Sequence, residues 1–312
     1  MDGQNDMNNF VEIVDVGPRD GIQSQPTILD TTTKLDFITR LIDAGVRRIE
    51  VASFVNPKRV PQMADIDTLV GRLPNNDDVK YIGLVLNRRG FERAVDSGID
   101  QINCTTVASE TFCQRNQGAS IADMDKTIEE IIRESQARGL FFGVTIGASF
   151  GCPFEGEIDP ARVADMARRF ADLGVDEIAL ADTIGVAVPT DVSRLLDLVM
   201  PVVGDTPLRA HFHNTRNTGV ANAYVAIQSG VRIIDASCGG LGGCPFAPGA
   251  TGNVATEDIL YMLERMGMKT GISIDKIIAT AKWLEKPLGS RMPGMVSRAG
   301  VFPGSAVSQR RA

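Results

Sequence analysis

Short runs of β-branched and aliphatic residues alternate along the chain with longer amphipathic stretches. In the stretches, apolar residues recur every three to four positions, as on the buried face of a helix. The two clearest examples are Leu35, Ile38, Leu41 and Ile42, and Met124, Ile128, Ile131 and Ile132. The short runs predict eight strands, at residues 11–16, 48–53, 81–86, 101–107, 141–148, 177–182, 208–213 and 233–237.

A glycine signature marks where the predicted helices end. Gly45, Gly98, Gly174 and Gly230 each follow an amphipathic stretch and precede a strand, as C-terminal helix caps do. Eight βα units with no strand left over favour a (β/α)8 TIM barrel. An open doubly wound sheet is the alternative, but the turn after the first strand lacks the Gly-x-Gly-x-x-Gly pattern. We expect the barrel to occupy residues 1–285. A short C-terminal extension at 286–312, rich in Gly, Pro, Ser and Arg, caps it, contacts a second subunit or moves freely.

Composition and charge narrow the class of protein. The chain has 312 residues, 43% of them hydrophobic, and a formal net charge of −7, which argues against nucleic-acid binding. Five cysteines without a Cys-x-x-Cys pair, and a polar N-terminus without a leader-like apolar stretch, favour a reduced, cytoplasmic setting. The uncharged stretch 236–256 holds six glycines and two prolines, so we interpret it as a loop and expect no membrane contact.

The only two histidines of the chain are His211 and His213. Residues two apart in a strand face the same side, so both imidazoles can reach one metal ion. A hydrogen-bonded polar pair in a loop is the alternative. Catalytic groups of a barrel cluster at the C-terminal ends of its strands. The polar residues found there are Arg19, Asp20, Glu50, Asn87, Thr105, Thr106, Ser149, Asp182, Thr183, His211, His213 and Ser237. For Asn87 and Ser149 a helix-cap or loop role is the simpler reading.

Five segments together resemble the 3-hydroxy-3-methylglutaryl-CoA lyase family of metal-dependent TIM barrels. They are Val-Gly-Pro-Arg-Asp-Gly at 16–21, the stretch 53–63, Gly-Cys-Pro-Phe-Glu-Gly at 151–156, Ala-Asp-Thr-Ile-Gly-Val at 181–186, and Gly-Leu-Gly-Gly-Cys-Pro-Phe-Ala at 240–247 continuing to 258. The resemblance runs from about residue 11 to about 270. The fifth segment resembles the lyases more than the sibling Claisen synthases.

The resemblance implies a set of site residues. The expected metal ligands are Asp20, His211, His213 and Asn253, a mixed oxygen and nitrogen set that suits Mg²⁺ or Mn²⁺. The expected catalytic residues are Arg19, which faces the thioester carbonyl, Cys244 on a mobile glycine-rich loop, and the acids Glu50 and Asp182 near the metal. The residues expected to contact substrate are Gln23, Thr183 and Gly243.

The same resemblance implies a reaction. A metal-assisted retro-Claisen cleavage would convert 3-hydroxy-3-methylglutaryl-CoA into acetyl-CoA and acetoacetate, in leucine degradation and ketone body formation. The acyl-CoA is the expected small-molecule partner, and a homo-oligomer, dimer or tetramer, is the expected assembly.

The chain also departs from the family pattern. Gln25-Pro26 and Arg216 stand where the family favours Glu-Lys and Tyr. These departures leave the substrate open, so a related lyase acting on citramalyl-CoA or a longer-chain 3-hydroxyglutaryl-CoA is one alternative. Two others are a Claisen-type acyltransferase that condenses acetyl-CoA with a 2-oxo acid, and a non-enzymatic barrel that binds an acyl-CoA.

Overall fold

Eight parallel strands close into a barrel in chain order, β1 to β8. This computed structural model describes residues 9–243 and 252–302. The strands are β1 Glu12–Asp15, β2 Arg48–Ser53, β3 Lys80–Val85, β4 Gln101–Val107, β5 Phe141–Gly147, β6 Glu177–Asp182, β7 Leu208–Phe212 and β8 Ile233–Ala236. The (β/α)8 fold expected from the sequence is confirmed, and each strand begins and ends within about one residue of its predicted limit.

Helices cover the outside of the barrel. In the described ranges they are α1 Thr31–Ala44, α2 Ile66–Val70, α3 Arg88–Ser97, α4 Glu110–Gln117, α5 Ile121–Ala137, α6 Pro160–Asp172, α7 Pro189–Val203, α8 Gly219–Gln228, α9 Thr256–Arg265, α10 Ile274–Leu288 and α11 Val296–Ala299. None of the helices in the described part of the chain is long and apolar enough to cross a membrane.

Helix α1 shows how local sequence sets these elements. The Asp30 side chain caps its N-terminus by accepting a hydrogen bond from the Thr33 backbone N–H at 2.7 Å. Phe37, Ile38 and Leu41 point into the core from one face. The helix ends at Gly45, whose φ of 104° would strain a residue with a side chain.

The barrel interior carries a column of charged residues. Arg48 on β2 donates to Glu177 on β6 at 2.8 and 3.2 Å, and Arg209 on β7 lies 3.2 Å from the same carboxylate. Arg209 also lies 3.6 Å from Asp235 on β8. All four side chains are buried, so each charge depends on its partners for compensation. This column leads toward the C-terminal end of the barrel, where the candidate site lies.

The described part of the C-terminal extension packs on its own chain. Helix α10 continues to Leu288, and Met292 beyond it is buried. The Gly294 backbone N–H donates to the Gly239 carbonyl at 3.0 Å. The extension is thereby tied to the turn that follows β8.

Candidate active site

A π-helical turn, Gly17–Gly21, presents Arg19 and Asp20 directly after β1. The Gly21 backbone N–H closes the turn on the Val16 carbonyl at 3.0 Å. The Arg19 guanidinium is fixed from two sides, because Nε donates to Glu50 on β2 and Nη1 donates to Asp20 Oδ1 at 2.7 Å. Glu50, an expected catalytic acid, therefore orients Arg19 in this structure.

The two histidines lie on the same face of the chain at the end of β7, with ring centroids 5.2 Å apart. His211 Nδ1 lies 3.0 Å from Asp235 Oδ2, which leaves Nε2 as the free ring nitrogen. Burial alone would lower the pKa of His211, but the hydrogen bond and the charge of Asp235 outweigh it and raise the pKa. The shared face expected from the His-x-His spacing is confirmed.

Among the described residues, Asp20, His211 and His213 form a group that could hold a metal ion. One potential ligand atom from each lies within 4.8 Å of those of the other two. Burial would raise the pKa of Asp20, but Arg19 and both histidines lower it to about 2. Burial, reinforced by His211, lowers the pKa of His213 to about 4. Near neutral pH one ligand is thus an anion and another a neutral imidazole, the forms that bind a divalent cation.

Asn253 joins this group from the loop after β8. It forms an isolated β-bridge with His213, and its Nδ2 donates to Asp20 Oδ2 at 2.7 Å and to the Leu241 carbonyl at 3.1 Å. Its buried Oδ1 has no hydrogen-bond partner among the described residues. A half-turn of the amide would bring this oxygen next to Asp20, where it could be a fourth ligand. The unpartnered oxygen fits a hard divalent cation.

Asp182 and Thr183 lie at the end of β6, where the barrel rule places them, but their polar atoms contact the backbone. The Asp182 carboxylate accepts hydrogen bonds from Val186 and Ala187, both at 3.0 Å. Thr183 Oγ1 accepts from the Ala148 backbone N–H at 2.9 Å. Burial raises the pKa of Asp182, against the effect of the two backbone bonds. In this structure Asp182 shapes the loop after β6 and is not part of the ligand group.

The remaining expected residues lie around the glycine-rich loop. Gln23 is half-buried, and its Oε1 has no hydrogen-bond partner in the described ranges. Gly243 lies so close to Ser24 that a Cβ there would be 2.9 Å from the hydroxyl oxygen. Cys244, expected to transfer a proton, lies outside the described residues.

Three buried acids near the site were not singled out in the sequence. Asp235 orients His211, while Asp15 and Glu257 hold the turn at the base of the glycine-rich loop. Asp15 accepts from Gly17 and Cys238 at 2.9 and 3.1 Å, and Glu257 accepts from Gly239 at 3.0 Å. Burial raises the pKa of Asp15 and of Glu257 to about 7 each. The one available signal was an acid inside an apolar run, as in Ile233-Ile234-Asp235.

Comparisons with known proteins agree with this geometry. The HMGL-like family model matches residues 10–284. The (R)-citramalyl-CoA lyase of Chloroflexus aurantiacus is 43% identical over 304 residues, covering 94% of this chain and 96% of the relative. The human mitochondrial hydroxymethylglutaryl-CoA lyase is 38% identical over 289 residues, covering 93% and 89%.

A solved structure shares the fold closely. The HMG-CoA lyase of Acinetobacter baumannii, in complex with coenzyme A and 3-methylmalate, superimposes with a TM-score of 0.91 at 37% identity, covering 96% of this chain and 97% of that one. The resemblance drawn from the sequence segments is confirmed: the chain belongs to the HMGL-like family of hydroxymethylglutaryl-CoA lyases and their relatives.

Proposed function

We propose that this protein is a carbon–carbon lyase that cleaves a 3-hydroxyacyl-CoA thioester by a metal-assisted retro-Claisen reaction. 3-Hydroxy-3-methylglutaryl-CoA, which would yield acetyl-CoA and acetoacetate, is the first candidate substrate. The observation that carries the proposal is the placement of Arg19, which shares a hydrogen bond with Asp20 of the Asp20–His211–His213 group. An anion-stabilising guanidinium beside a cation-binding group is what this reaction requires.

The proposed cofactor is Mg²⁺ or Mn²⁺. Asp20, His211, His213 and Asn253 would hold it, since carboxylate, imidazole and amide ligands with open positions suit these ions. When bound, the ion would acidify the tertiary hydroxyl group of the substrate and orient its carboxylate.

Arg19 is proposed to stabilise the enolate that develops on the thioester oxygen. Its Nε and Nη1 are engaged by Glu50 and Asp20, and no described residue accepts a hydrogen bond from Nη2. Because the two acids fix the guanidinium plane, this N–H group is held in place before the substrate arrives. A preorganised donor of this kind is typically worth about 3–4 kcal/mol of transition-state stabilisation.

Protons must move at two atoms. The C3 hydroxyl loses one as the C2–C3 bond breaks, and C2 of the released enolate gains one to become the methyl group of acetyl-CoA. We assign the second transfer to Cys244, since a thiol of tunable acidity can donate a proton to carbon. Asp182 is the alternative acid, since burial raises its pKa.

Substrate choice depends on residues beyond the common reacting groups. Citramalyl-CoA carries its carboxylate directly on C3, one methylene closer than in hydroxymethylglutaryl-CoA, and a methylene discriminates by only about 1–3 kcal/mol. Arg216 bridges the loops after β6 and β7, because its Nη1 donates to the Ile184 and Gly185 carbonyls at 3.0 and 2.8 Å. The greater identity to the citramalyl-CoA lyase makes citramalyl-CoA the second candidate substrate.

The test is kcat/KM for 3-hydroxy-3-methylglutaryl-CoA, (R)-citramalyl-CoA and a longer-chain 3-hydroxyglutaryl-CoA, measured side by side with Mg²⁺. The proposal expects acetyl-CoA release from at least one of them. Consumption of acetyl-CoA with a 2-oxo acid, without cleavage of any thioester, would identify a Claisen-type acyltransferase instead.

A cytoplasmic location, a role in leucine degradation and assembly into a dimer or tetramer stay predictions. Sedimentation velocity tests the predicted assembly.

A further inference from the structure

The stretch 53–63, one of the family segments, has no part in the reaction described above. It leaves β2 and ends in a short 3₁₀ turn, Pro61–Met63. Gln62 in this turn is only 2% exposed, and its amide is fully used. Oε1 accepts from the Leu29 backbone N–H at 2.9 Å, and Nε2 donates to the Ile22 and Thr27 carbonyls at 3.2 and 3.0 Å. The Gln62 side chain is thus hydrogen-bonded to both ends of the segment 22–29.

A buried ammonium holds Gln62 in turn. Lys34 on α1, 2% exposed, donates from Nζ to the Gln62 carbonyl at 2.5 Å and to Asp65 Oδ1 at 2.6 Å. Thr31 donates to the other oxygen of Asp65 at 2.6 Å. A buried charge is tolerated only where such partners replace water, so this arrangement ties the 3₁₀ turn firmly to α1.

The segment 22–29 lies between two parts of the candidate site. It begins directly after Gly21, the last residue of the turn that carries Arg19 and Asp20. Its Ser24 is in contact range of Gly243, where the glycine-rich loop begins. A shift of this segment would therefore displace the start of the loop relative to Arg19.

We infer that Gln62, braced by Lys34 and Asp65, is a positioning residue for the lyase reaction. Its amide sets the path of segment 22–29 and through it the distance between Arg19 and Gly243. The inference rests on the proposed function for its kinetic consequence, whereas the hydrogen bonds to segment 22–29 can be tested without any substrate.

Two substitutions separate the amide's roles. Gln62→Met keeps the length of the side chain and removes all three hydrogen bonds. Gln62→Glu keeps an acceptor for Leu29 but turns a carboxylate toward the Ile22 and Thr27 carbonyls. Burial and these two oxygens raise the pKa of such a carboxyl group, whereas the neighbouring Lys34 ammonium lowers it. Protonation at lower pH would restore one donor.

The kinetic test is kcat/KM relative to wild type between pH 6 and pH 8. A displacement of about 1 Å away from the chemistry can cost about 100-fold, so we expect losses of about 10- to 100-fold. At pH 8 the kcat/KM of Gln62→Glu should be lower than that of Gln62→Met, and the difference between the two values should shrink toward pH 6. The Kd for Mn²⁺ should change less than about threefold, since the ligands do not lie on segment 22–29. Gln114→Met, at an exposed glutamine of α4, is the matched control.

Hydrogen exchange of segment 22–29 gives the substrate-independent readout. The Leu29 amide should exchange at least about tenfold faster in Gln62→Met than in wild type, because its acceptor is gone. If Gln62→Met fails to fold, Asp65→Asn provides the milder test, with an expected three- to tenfold loss of kcat/KM. Unchanged exchange at Leu29, or variants within about threefold of wild type in kcat/KM, would overturn the inference. If the wild type cleaves no thioester, the proposed function fails, while the exchange result still decides whether Gln62 holds segment 22–29 in place.

Discussion

Asp235 gives the sharpest prediction about the proposed metal site, because it contacts His211, a proposed ligand, without being a proposed ligand itself. It is 4% exposed, its Oδ2 lies 3.0 Å from His211 Nδ1, and its Oδ1 lies 3.6 Å from Arg209 Nε. Asp235→Asn keeps the shape and removes the charge. The new amide can also donate to Nδ1, which would place the imidazole proton on Nε2 and block that nitrogen as a ligand.

The magnitude follows from the geometry. A buried hydrogen bond to a charged group contributes about 1.5–3 kcal/mol, and one factor of ten in Kd corresponds to about 1.4 kcal/mol. Loss of a carboxylate that is hydrogen-bonded to a metal-binding histidine typically lowers the affinity for the metal by about 10- to 100-fold. The two routes agree, so we expect the Kd for Mn²⁺ to rise by about 10- to 100-fold.

The Kd is measured by isothermal titration calorimetry, in which metal-free protein is titrated with Mn²⁺. Asp176→Asn is the control, since the Asp176 carboxylate also accepts a hydrogen bond, from the Phe142 backbone N–H at 2.8 Å, but lies at the opposite end of the barrel. Its Kd should equal that of wild type. A Kd for Asp235→Asn within about twofold of wild type would show that His211 does not need this partner, or does not bind the metal.

Three further predictions concern the reacting groups and the buried acids. Arg19→Lys should lower kcat/KM by at least about 100-fold, because lysine cannot contact Glu50, Asp20 and the thioester oxygen with one planar fork; a loss below tenfold would contradict the role given to Arg19. Cys244→Ser should lower kcat strongly with little change in KM, and an unchanged kcat would leave the thiol without a catalytic role. Glu257→Gln should flatten the pH dependence of stability. The folded pKa of Glu257 is about 7, above its ordinary 4.5, so wild type loses stability as pH rises from about 4.5 to 7, by a few kcal/mol at most. Glutamine can keep the bonds to Gly239 and Ser297 without this loss. Urea unfolding at pH 5 and pH 8 measures the difference, and equal pH slopes in both proteins would refute it.

Most of the fold was predictable because parallel strands in a barrel are buried on both faces and leave apolar runs of β-branched residues. The site residues at strand ends followed from the fold, since the C-terminal ends of all strands meet at one rim. His211 and His213 were found by alternation within a single strand, which needs no knowledge of neighbouring strands.

The supporting residues could not be found in the same way. His211 contacts Asp235 because the register between β7 and β8 sets these two residues side by side. That register cannot be predicted from the pattern of a single strand. The hydrogen bonds between Gln62 and segment 22–29 depend on the conformations of two loops, the stretch 53–63 and the segment itself. Asp182 is close enough to His211 for the two charges to interact, but the sequence did not indicate that its carboxylate would accept hydrogen bonds from the backbone N–H groups of Val186 and Ala187, as aspartate often does in loops.

The central claim is that a divalent metal held by Asp20 and the two histidines supports thioester cleavage beside Arg19. The most direct test is acetyl-CoA release by chelator-treated protein titrated with Mn²⁺, with His211→Ala and His213→Ala measured in parallel. We predict no turnover without metal, recovery that saturates at one ion per chain, and no recovery in either folded variant. Full activity in metal-free protein, or recovery in the variants at the wild-type metal concentration, would contradict it.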